Sequence, residues 1–488
     1  MIRPVLIALL AALAASASAN AEDAKQASSP VAETDAVRTE RVFDAASIKV
    51  AESLRDAALA GSGAFAIVES LTTEVGARMA GSDADARAVQ WAKARFARLG
   101  FDRVILQPVT FPTWQRRSES AQVLPPFAQT LHVTALGGSV GSGGDVSAEV
   151  VEFSDLAALR AAPAGSVTGK IAFIAHRMQR FRDGRGYGLA VAARSEGASD
   201  ASRAGAAALL IRSIGTDSHR FPHTGTMRYA DGVKPIPAAA LSNPDADQLS
   251  RLLALGKPVH VRLNLDVGVA GSYTSFNVIG EIVGRERPQE FVVIGGHLDS
   301  WDLGTGAIDD GAGVAITMEA GARIAALATR PRRSIRVIAF ANEEQGLFGA
   351  KQYAQANRVG DHVIGAESDF GAGRIYALRA KVGEGSWSLL EQIGAVLAPL
   401  EIVLEAGAGG AGPDISPLVA EGMPWAQLAQ DGSDYFDYHH TADDTLDKID
   451  PKALDQQVAA YAAFAWLAAD VAGDFGRLPL PTPTPPAK

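Results

Sequence analysis

The sequence predicts an α/β protein: a mostly parallel, mixed sheet sandwiched by helices, with a β-rich domain inserted into it. From residue 273 onward, strand-like apolar runs alternate with helical patterns, which is typical of parallel strands joined through helices. Residues 121–272 differ, because short apolar runs there are separated by glycine-rich turns. Two apolar runs, 291–294 and 335–341, lead directly into acidic and histidine side chains. Such endings predict a site at one edge of the sheet.

Length and composition limit the classes of protein. The chain has 488 residues, of which 47% are hydrophobic and 20% charged, so two or three domains with large cores are expected. A net charge of −10 argues against a nucleic-acid binder, which would show a basic face. The chain has no cysteine, which excludes disulfides, thiol catalysis and thiolate metal sites.

Residues 1–21 have the pattern of a secretory signal peptide. Arg3 precedes an apolar run at 5–15, and small residues favour cleavage after Ala21, with Ala19 as the second choice. An uncleaved anchor is the alternative, but the run is too short to span a bilayer. We therefore expect a periplasmic or secreted protein without stable membrane insertion once the signal is removed.

The predicted elements follow in order. Residues 22–45 are polar and alanine-rich, as in a linker or propeptide-like arm, and the proline-rich tail 476–488 cannot join a sheet. The catalytic domain is predicted at 46–120 and 273–475, on either side of the insert. Its helices are predicted at 84–99, 313–328, 346–357 and 451–471, the last one amphipathic, and its strands at 101–111, 276–282, 291–294, 335–341 and 362–366. Within the insert, strands are predicted at 171–174, 208–211 and 259–263, with a helix at 199–207.

Six side chains at strand ends and in nearby loops could bind metal or move protons. They are His297, Asp309, Glu343, Glu344, Asp369 and His440. Oxygen-rich ligands with few histidines favour hydrolytic zinc or a similar divalent ion. Each residue also has an ordinary interpretation, such as a core histidine, a solvated acid or an Asx turn, and Asp310 could simply cap the following helix. A metal site explains all six together.

Several motifs carry a resemblance to a known family. GHLDSWD, GAIDDGAG, NEEQG, AESD and SDYFDYHHTADDT resemble the co-catalytic di-zinc exopeptidases, which include bacterial aminopeptidases, over about residues 65–471. GASDASRAGAAALLIRS and FPHTGTMRY in the insert resemble the same family, whose insertion is called a protease-associated domain. The resemblance implies the zinc exopeptidase fold, short peptides as substrates, and a homodimer with the insert as one contact.

The resemblance also implies a ligand set for two zinc ions. Asp309 would bridge the ions, His297 and Asp369 would complete one site, and Glu344 and His440 would complete the other. Two such ions, about 3.5–4 Å apart, can polarise a carbonyl and generate hydroxide. His439 is the alternative to His440 as the metal ligand, although the spacing to the following acids favours His440.

Other roles follow from the same resemblance. Glu343 would be the general base, and Asp299 would accept the free ring N–H of His297. The family also implies a cis peptide between Asp309 and Asp310. His439 or Tyr438 would stabilise the oxyanion, whereas the ordinary interpretation of His439 is packing of its loop.

Two further residues are candidates for substrate contact. Asp414 lies in a glycine-rich loop at 407–415 and would meet a substrate amino group, although a flexible lid is the competing interpretation. Trp301, next to the metal motif, would shape the pocket. The basic cluster Arg177, Arg180, Arg182 and Arg185 fits a solvated loop better than a carboxylate-binding site.

The predicted function is an exported di-zinc metallo-exopeptidase that hydrolyses short peptides or dipeptides. A related di-zinc deacylase or carboxypeptidase is the first alternative, and it is disfavoured because the insertion precedes His297 and Asp309 follows closely. A catalytically inactive binding homologue is the second, and the intact ligand set with Glu343 argues against it. The motifs do not decide which peptide end is recognised.

Overall fold

The computed structural model describes residues 43–163, 165–407 and 409–480. The predicted signal peptide, all but the last three residues of the predicted arm and the end of the proline-rich tail lie outside the described residues. All described residues belong to one compact unit.

The described residues form helices of very different lengths. They are α1 Ala45–Leu59, α2 Ala64–Glu74, α3 Asp83–Arg98, α4 Leu156–Arg160, α5 Arg185–Ala190, α6 Ala192–Ser195, α7 Gly197–Arg203, α8 Asn243–Leu253, α9 Ala312–Ala325, α10 Phe348–Ala356, α11 Trp387–Leu397, α12 Ser416–Ala420, α13 Tyr435–Tyr438 and α14 Pro451–Asp470. Helix α3 illustrates the local logic: Ser82 caps its N-terminus, acidic residues occupy its first turn and basic residues its last.

The strands range from three residues to more than twenty. They are β1 Arg103–Val123, β2 Gln129–Leu131, β3 Val133–Ala135, β4 Val146–Phe153, β5 Ile171–Ile174, β6 Ala208–Arg212, β7 Ala238–Leu241, β8 His260–Ile282, β9 Arg287–His297, β10 Arg333–Phe340, β11 His362–Glu367, β12 Ile375–Lys381, β13 Val403–Glu405 and β14 Trp425–Gln430.

Within the described residues these strands form a single mixed sheet in the order β13-β12-β14-β11-β9-β10-β8-β4-β5-β6-β7-β3, with β1 and β2 off this path. Pairing is parallel from β10 through β9 and β11 to β14, and again from β4 through β5 and β6 to β7. Helices flank the sheet, which confirms the predicted fold class.

Two long antiparallel strands run through both parts of the sheet. β1 pairs with β8 from residue 103 to 123, with bulges near Trp114 and Arg116. The predicted borders of the insert, at 120/121 and 272/273, both lie inside these strands. The separate strands predicted at 259–263 and 276–282 were wrong, because β8 continues through Gly268 and Gly271, where the apolar alternation is interrupted.

Helix α14 is buried on every side rather than amphipathic. Every residue from 456 to 470 is buried, so the predicted single apolar face was wrong. The Tyr461 hydroxyl donates a hydrogen bond to the carbonyl of Glu367 (2.5 Å), at the end of β11. Among the described helices, none combines the length and the apolar character that crossing a bilayer requires.

Candidate metal centre and its cavity

Three neighbouring strands bring the candidate ligands to one edge of the sheet. β9 lies between β10 and β11 and is parallel to both. His297 is the last residue of β9, Glu343 follows the end of β10, and Asp369 follows the end of β11. Because the carboxyl ends of parallel strands meet at the same edge, residues far apart in sequence meet in space.

A buried arginine organises the loop after β9. The guanidinium of Arg78 is fully buried and donates to the carbonyls of Leu298 (2.5 Å), Thr305 (2.7 Å) and Gly306 (2.9 Å). Three backbone acceptors on one planar donor hold the loop in a single conformation. Sequence reasoning missed Arg78, which lies between α2 and α3 and belongs to none of the recognised motifs.

Asp309 is delivered by the same loop and is oriented by Asp444. The Asp444 carboxylate accepts from the backbone N–H groups of Ile308 (2.7 Å) and Asp309 (3.2 Å). The peptide between Asp309 and Asp310 is cis, as predicted. Asp310 accepts from the N–H of Gly313 (3.1 Å), so it does cap the start of α9. Asp444 is a further residue that the sequence interpretation passed over, although it lies within the quoted HHTADDT motif.

The other four predicted metal ligands lie in two pairs around Asp309. Its Oδ1 lies 3.0 Å from Nε2 of His297, which is also 3.7 Å from Asp369. Its Oδ2 lies 3.2 Å from Nε2 of His440, which is also 3.0 Å from Glu344. One carboxylate thus faces two groups of side chains through its two oxygens, which is the arrangement a bridging ligand needs.

The donor set fits divalent metal ions. His297, Asp309 and Asp369 offer ligand atoms within 4.8 Å of one another, and so do Asp309, His439 and His440. Among the described residues, Oδ2 of Asp309 and Oε1 of Glu344 are buried yet accept no hydrogen bond. Buried carboxylate oxygens need a compensating cation or donor, and imidazole with carboxylate suits zinc and similar ions.

Backbone carbonyls orient both histidine rings toward the centre. Nδ1 of His297 lies 3.0 Å from the carbonyl of Asp299, and Nδ1 of His440 lies 3.3 Å from the carbonyl of Thr224. With Nδ1 donating to a carbonyl, Nε2 of each ring is the nitrogen that would bind a metal in place of a proton.

The clustered charges shift several pKa values. Burial opposes protonation of His440, but Glu344 and Asp309 raise its pKa to about 9. Burial alone would raise the pKa of Asp309, yet the contact with His297 and the nearby His440 ring hold that pKa well below its usual range. Burial, reinforced by Glu344, raises the pKa of Glu343 well above its ordinary value. Glu343 therefore differs from Asp309: it has no close histidine partner and holds a proton more readily.

His439 lies against the ligand cluster. Its ring stacks on that of His440, with centroids 3.5 Å apart, and its Nε2 is 3.5 Å from Asp309. Burial and the neighbouring His440 lower its pKa well below the ordinary value, so the ring is neutral. Both histidines reach Asp309, but the contact to Glu344 belongs to His440.

Asp299 lies beside the His297 ring, as expected, and both Asp299 and Trp301 make further contacts that the sequence did not indicate. The carboxylate of Asp299 is 3.7 Å from the His297 ring, farther than its own carbonyl, and it accepts the backbone N–H of Glu343 at 3.0 Å. Trp301 is buried and donates its Nε1–H to Oε2 of Glu344 (2.6 Å). A buried indole N–H needs an acceptor, and here the acceptor is Glu344. Trp301 therefore orients a candidate ligand and does not line the cavity over the ligand cluster.

Asp414 and Tyr438 also lie outside the wall of the main cavity. Asp414 is buried behind Pro413, and its backbone N–H donates to Glu367 (2.9 Å). Tyr438 is half-buried beside His219, with ring centroids 6.3 Å apart. The ring that faces the cavity belongs to Tyr435, 5.0 Å from that of His439, because the short helix α13 turns Tyr438 away.

A cavity of about 310 Å³ opens over the ligand cluster. Its lining comes from both the catalytic part and the insert: Tyr187, Arg194, Thr226, Asp309, Glu343, Glu344, Asp369, Phe370, Pro413, Tyr435, Phe436, His439 and His440. This volume is at the lower end of the range for small-molecule sites, which suits a small peptide.

Arg194, in the insert, presents an unusual guanidinium to this cavity. It donates to the Tyr187 hydroxyl (2.5 Å) and more weakly to the Thr224 carbonyl (3.5 Å), both neutral groups. Its Nε is buried and, within the described part of the chain, has no hydrogen-bond partner. Gly225, with φ +134°, leaves room for it, since a Cβ there would lie 2.3 Å from Nη1. Sequence reasoning missed Arg194, because it lies in the short helix α6 and belongs to none of the recognised motifs.

The predicted basic cluster lies outside the cavity. Each arginine forms an exposed ion pair: Arg177 with Asp247, Arg180 with Asp437, Arg182 with Asp431 and Arg185 with Asp183. This arrangement favours the interpretation as a solvated basic loop over a substrate-binding one.

Comparison with known proteins identifies the family. The family model of peptidase family M28 matches residues 277–465. Human carboxypeptidase Q is 34% identical over 404 residues, which are 82% of this chain and 84% of that protein. The chain belongs to peptidase family M28. Carboxypeptidase Q of Xenopus laevis is 33% identical over 428 residues, covering 86% of this chain and 90% of that protein.

Solved structures of similar proteins agree with this M28 assignment. The crystal structure of a peptidase M28 precursor from Shewanella amazonensis is 50% identical, with a TM-score of 0.87, covering 89% of this chain and 99% of that chain. A zinc aminopeptidase from Bacillus subtilis shares the fold at 19% identity and a TM-score of 0.61, over 84% of this chain and 98% of that chain. The predicted family and the predicted enzyme class, an exopeptidase, are confirmed.

Proposed function

We propose that this M28 peptidase is an exported di-zinc metallo-exopeptidase that hydrolyses short peptides or dipeptides and recognises their free α-carboxylate. The observation that carries the carboxylate preference is the partly unpaired guanidinium of Arg194, in the same cavity as the ligand cluster. The name of the similar human protein, carboxypeptidase Q, supports the same preference. Export rests on the signal-peptide pattern at residues 1–21.

The candidate ligands would hold two zinc ions on either side of Asp309. His297 and Asp369 would complete one site, and Glu344 and His440 the other. When bound, the ions polarise the scissile carbonyl and supply a hydroxide near neutral pH. Trp301 keeps Glu344 directed inward through its indole N–H.

Glu343 is the proposed general base. It lines the cavity next to the ligand cluster, and the Asp299 carboxylate holds its backbone N–H at 3.0 Å. Because burial raises its pKa, the carboxylate can accept a proton from the attacking water and then deliver it to the departing amine. The neighbouring Glu344 differs from this base, because its carboxylate lies 3.0 Å from His440 and accepts the indole N–H of Trp301.

His439 is the proposed oxyanion donor. It is neutral, lines the cavity and lies within reach of the centre, so it can donate a hydrogen bond to the oxygen that becomes negative. Tyr438, the alternative considered from the sequence, faces away from the cavity. His439 is therefore the candidate to test.

Arg194 would bind the substrate's terminal carboxylate. Guanidinium groups bind carboxylates with two parallel hydrogen bonds, and burial strengthens such a pair. The Tyr187 hydroxyl and the cradle at Gly225 hold the guanidinium in place. Because the cavity is small, the carboxylate of a dipeptide bound there would place its only peptide bond near the ligand cluster.

The test is a dipeptide panel run on zinc-loaded protein, with and without chelator. The free dipeptide should be cleaved, and its carboxyl-terminal amide should lose on the order of 100-fold in kcat/KM, the cost of leaving a buried charge unpaired. Equal cleavage of both would contradict carboxylate recognition. If N-acetylated substrates are also rejected, the enzyme recognises both the free amino and the free carboxyl terminus. If no peptide is cleaved in the presence of zinc, the proposed peptidase activity is contradicted.

Export has a separate test. The protein recovered from the periplasm or medium of a bacterial host should begin at Glu22, as read by N-terminal sequencing. A chain retained in the cytoplasm with its first residues intact would contradict this part of the proposal.

A further inference from the structure

The conformation of the His439–His440 pair needs support from outside its own loop. His440 has φ +61°, in the left-handed region that non-glycine residues seldom adopt. This conformation turns its Nε2 toward Asp309 and Glu344. A strained residue persists only where its surroundings hold it.

That support comes from one segment of the insert, residues 213–226. Nδ1 of His223 lies 2.7 Å from the carbonyl oxygen of His439. The N–H of Thr224 donates to the carbonyl of His440 (3.1 Å), and the carbonyl of Thr224 faces Nδ1 of the His440 ring at 3.3 Å. Both histidines of the pair are thus held through their backbone, and His440 through its ring as well.

The position of the His223 side chain is itself fixed by hydrogen bonds. Its Nε2 lies 2.7 Å from Oδ1 of Asp217, and both side chains are only 1% exposed. Asn243 donates to the same Asp217 oxygen (3.0 Å), and Ser213 accepts the backbone N–H of His223 (2.8 Å). Such a fully satisfied polar group deep in a protein defines a unique position.

The chain makes room for this histidine. A Cβ at Gly215 would lie 2.2 Å from the His223 ring, so a larger residue there would displace the ring. Neither His223 nor Asp217 lines the cavity, so neither touches a substrate bound there. Of the contacts made by the His223 ring, the one at Nδ1 reaches the backbone of the His439–His440 pair.

We infer that His223 and Asp217 are positioning residues of the metal centre. The insert holds the carbonyl of His439 through them, and thereby keeps Nε2 of His440 directed at Asp309 and Glu344. Metal retention by the catalytic part therefore depends on a segment of the insert. This inference rests on the proposed function only in that the cluster binds zinc.

Two matched substitutions at one position separate positioning from general stability. In His223→Asn the amide nitrogen can stand in for Nδ1 and still donate to the His439 carbonyl. In His223→Gln the amide reaches the place of Nε2, so the contact to Asp217 is kept and the one to His439 is lost. Each variant removes one contact, so their effects on the stability of the zinc-free protein should be similar.

The experiment measures zinc affinity of the full-length protein by competition with a chromogenic chelator, and the melting temperature of the zinc-free form. His223→Gln should lose roughly 10- to 100-fold in zinc affinity, the usual effect of removing an outer contact of a metal ligand. His223→Asn should retain most of it. His219→Gln is the control, because His219 belongs to the same segment but is 45% exposed and makes no hydrogen bond to the pair.

Several outcomes overturn the inference. Zinc affinity unchanged in His223→Gln, or lowered equally in both variants, means that His223 is structural only. If neither variant folds, Gly215→Ala replaces them, since it displaces the ring without removing a polar group, and unaltered zinc affinity there has the same meaning. Absence of zinc binding by the unsubstituted protein contradicts the proposed function instead.

Discussion

The two parallel parts of the sheet have the same architecture and different chemistry. In the first, β9, β10 and β11 lead into His297, Glu343 and Asp369; His297 and Asp369 lie at the ligand cluster, and Glu343 and Asp369 line the cavity over it. In the second, β6 ends in Arg212, whose guanidinium pairs with Asp247 and two backbone carbonyls. Parallel strands with covering helices therefore do not make a site by themselves.

The difference lies in what each strand end leaves unsatisfied. Oxygens of Asp309 and Glu344 are buried without hydrogen bonds among the described residues, whereas Arg212 is satisfied by its neighbours. The second part nevertheless reaches the cavity, through Tyr187, Arg194 and Thr226. Residues 273–475 therefore supply the candidate reactive groups and part of the cavity wall, whereas residues 121–272 supply the rest of the wall and the contacts to the His439–His440 pair.

Replacement of the general base should have the largest effect. Glu343→Gln should lower kcat by about 10²–10⁴-fold, the usual contribution of a positioned base. Zinc content should stay at the unsubstituted value, because Glu343 is not among the ligand contacts to Asp309. Full activity in the substituted enzyme would mean that another group transfers the proton. It would then no longer follow that the reactive groups all come from the part of the chain that contains Glu343.

His439→Ala should be next in size. Loss of one oxyanion donor typically costs about 10²–10³-fold in kcat. Metal analysis accompanies the kinetics, because His439 also lies 3.5 Å from Asp309. Unchanged turnover with metal retained would end the oxyanion role, and loss of zinc would make His439 a ligand.

Arg194→Met tests the contribution of the insert to recognition. The preference for the free dipeptide over its amide should fall by on the order of 100-fold, mainly through KM, because the buried charge pair with the carboxylate is lost. Arg177→Met is the matched control in the insert, since Arg177 pairs with Asp247 outside the cavity. An unaltered preference would confine recognition to the catalytic part.

Removal of an exposed contact between the parts should have the smallest effect. Arg180 pairs with Asp437, but it is 45% exposed. Arg180→Ala should change the free energy of unfolding in urea by no more than about 1 kcal/mol, since exposed ion pairs contribute little. A larger loss would indicate that surface charges, and not the buried contacts of His223, hold the insert against the catalytic loop.

Sequence reasoning identified the residues that stand in compact motifs and missed those that act across space. His297, Asp309 and Glu344 follow apolar runs or glycine-rich loops, so their types and order were informative. Arg78, between α2 and α3, and Arg194, in α6, carry no local signal in the sequence. Each became a candidate only when its guanidinium was seen next to carbonyls or a cavity from a distant part of the chain.

The predictions that depended on the direction of a side chain differ most from the structure. Asp414, Tyr438 and Trp301 are near the site, but none lines the main cavity. A position in sequence indicates nearness to a motif, whereas the direction of a side chain depends on the helix or loop that carries it.

The order of apolar runs and acidic or histidine residues determined the fold class and the candidate metal ligands, and the motifs indicated the family, because periodicity and residue type are local properties of the chain. Only the tertiary structure decided that β1 and β8 join both parts in one sheet, that Trp301 holds Glu344, and that the insert supports the His439–His440 pair. The reason is that contacts between residues far apart in sequence depend on how the strands are arranged in the sheet, which no local pattern of residues indicates.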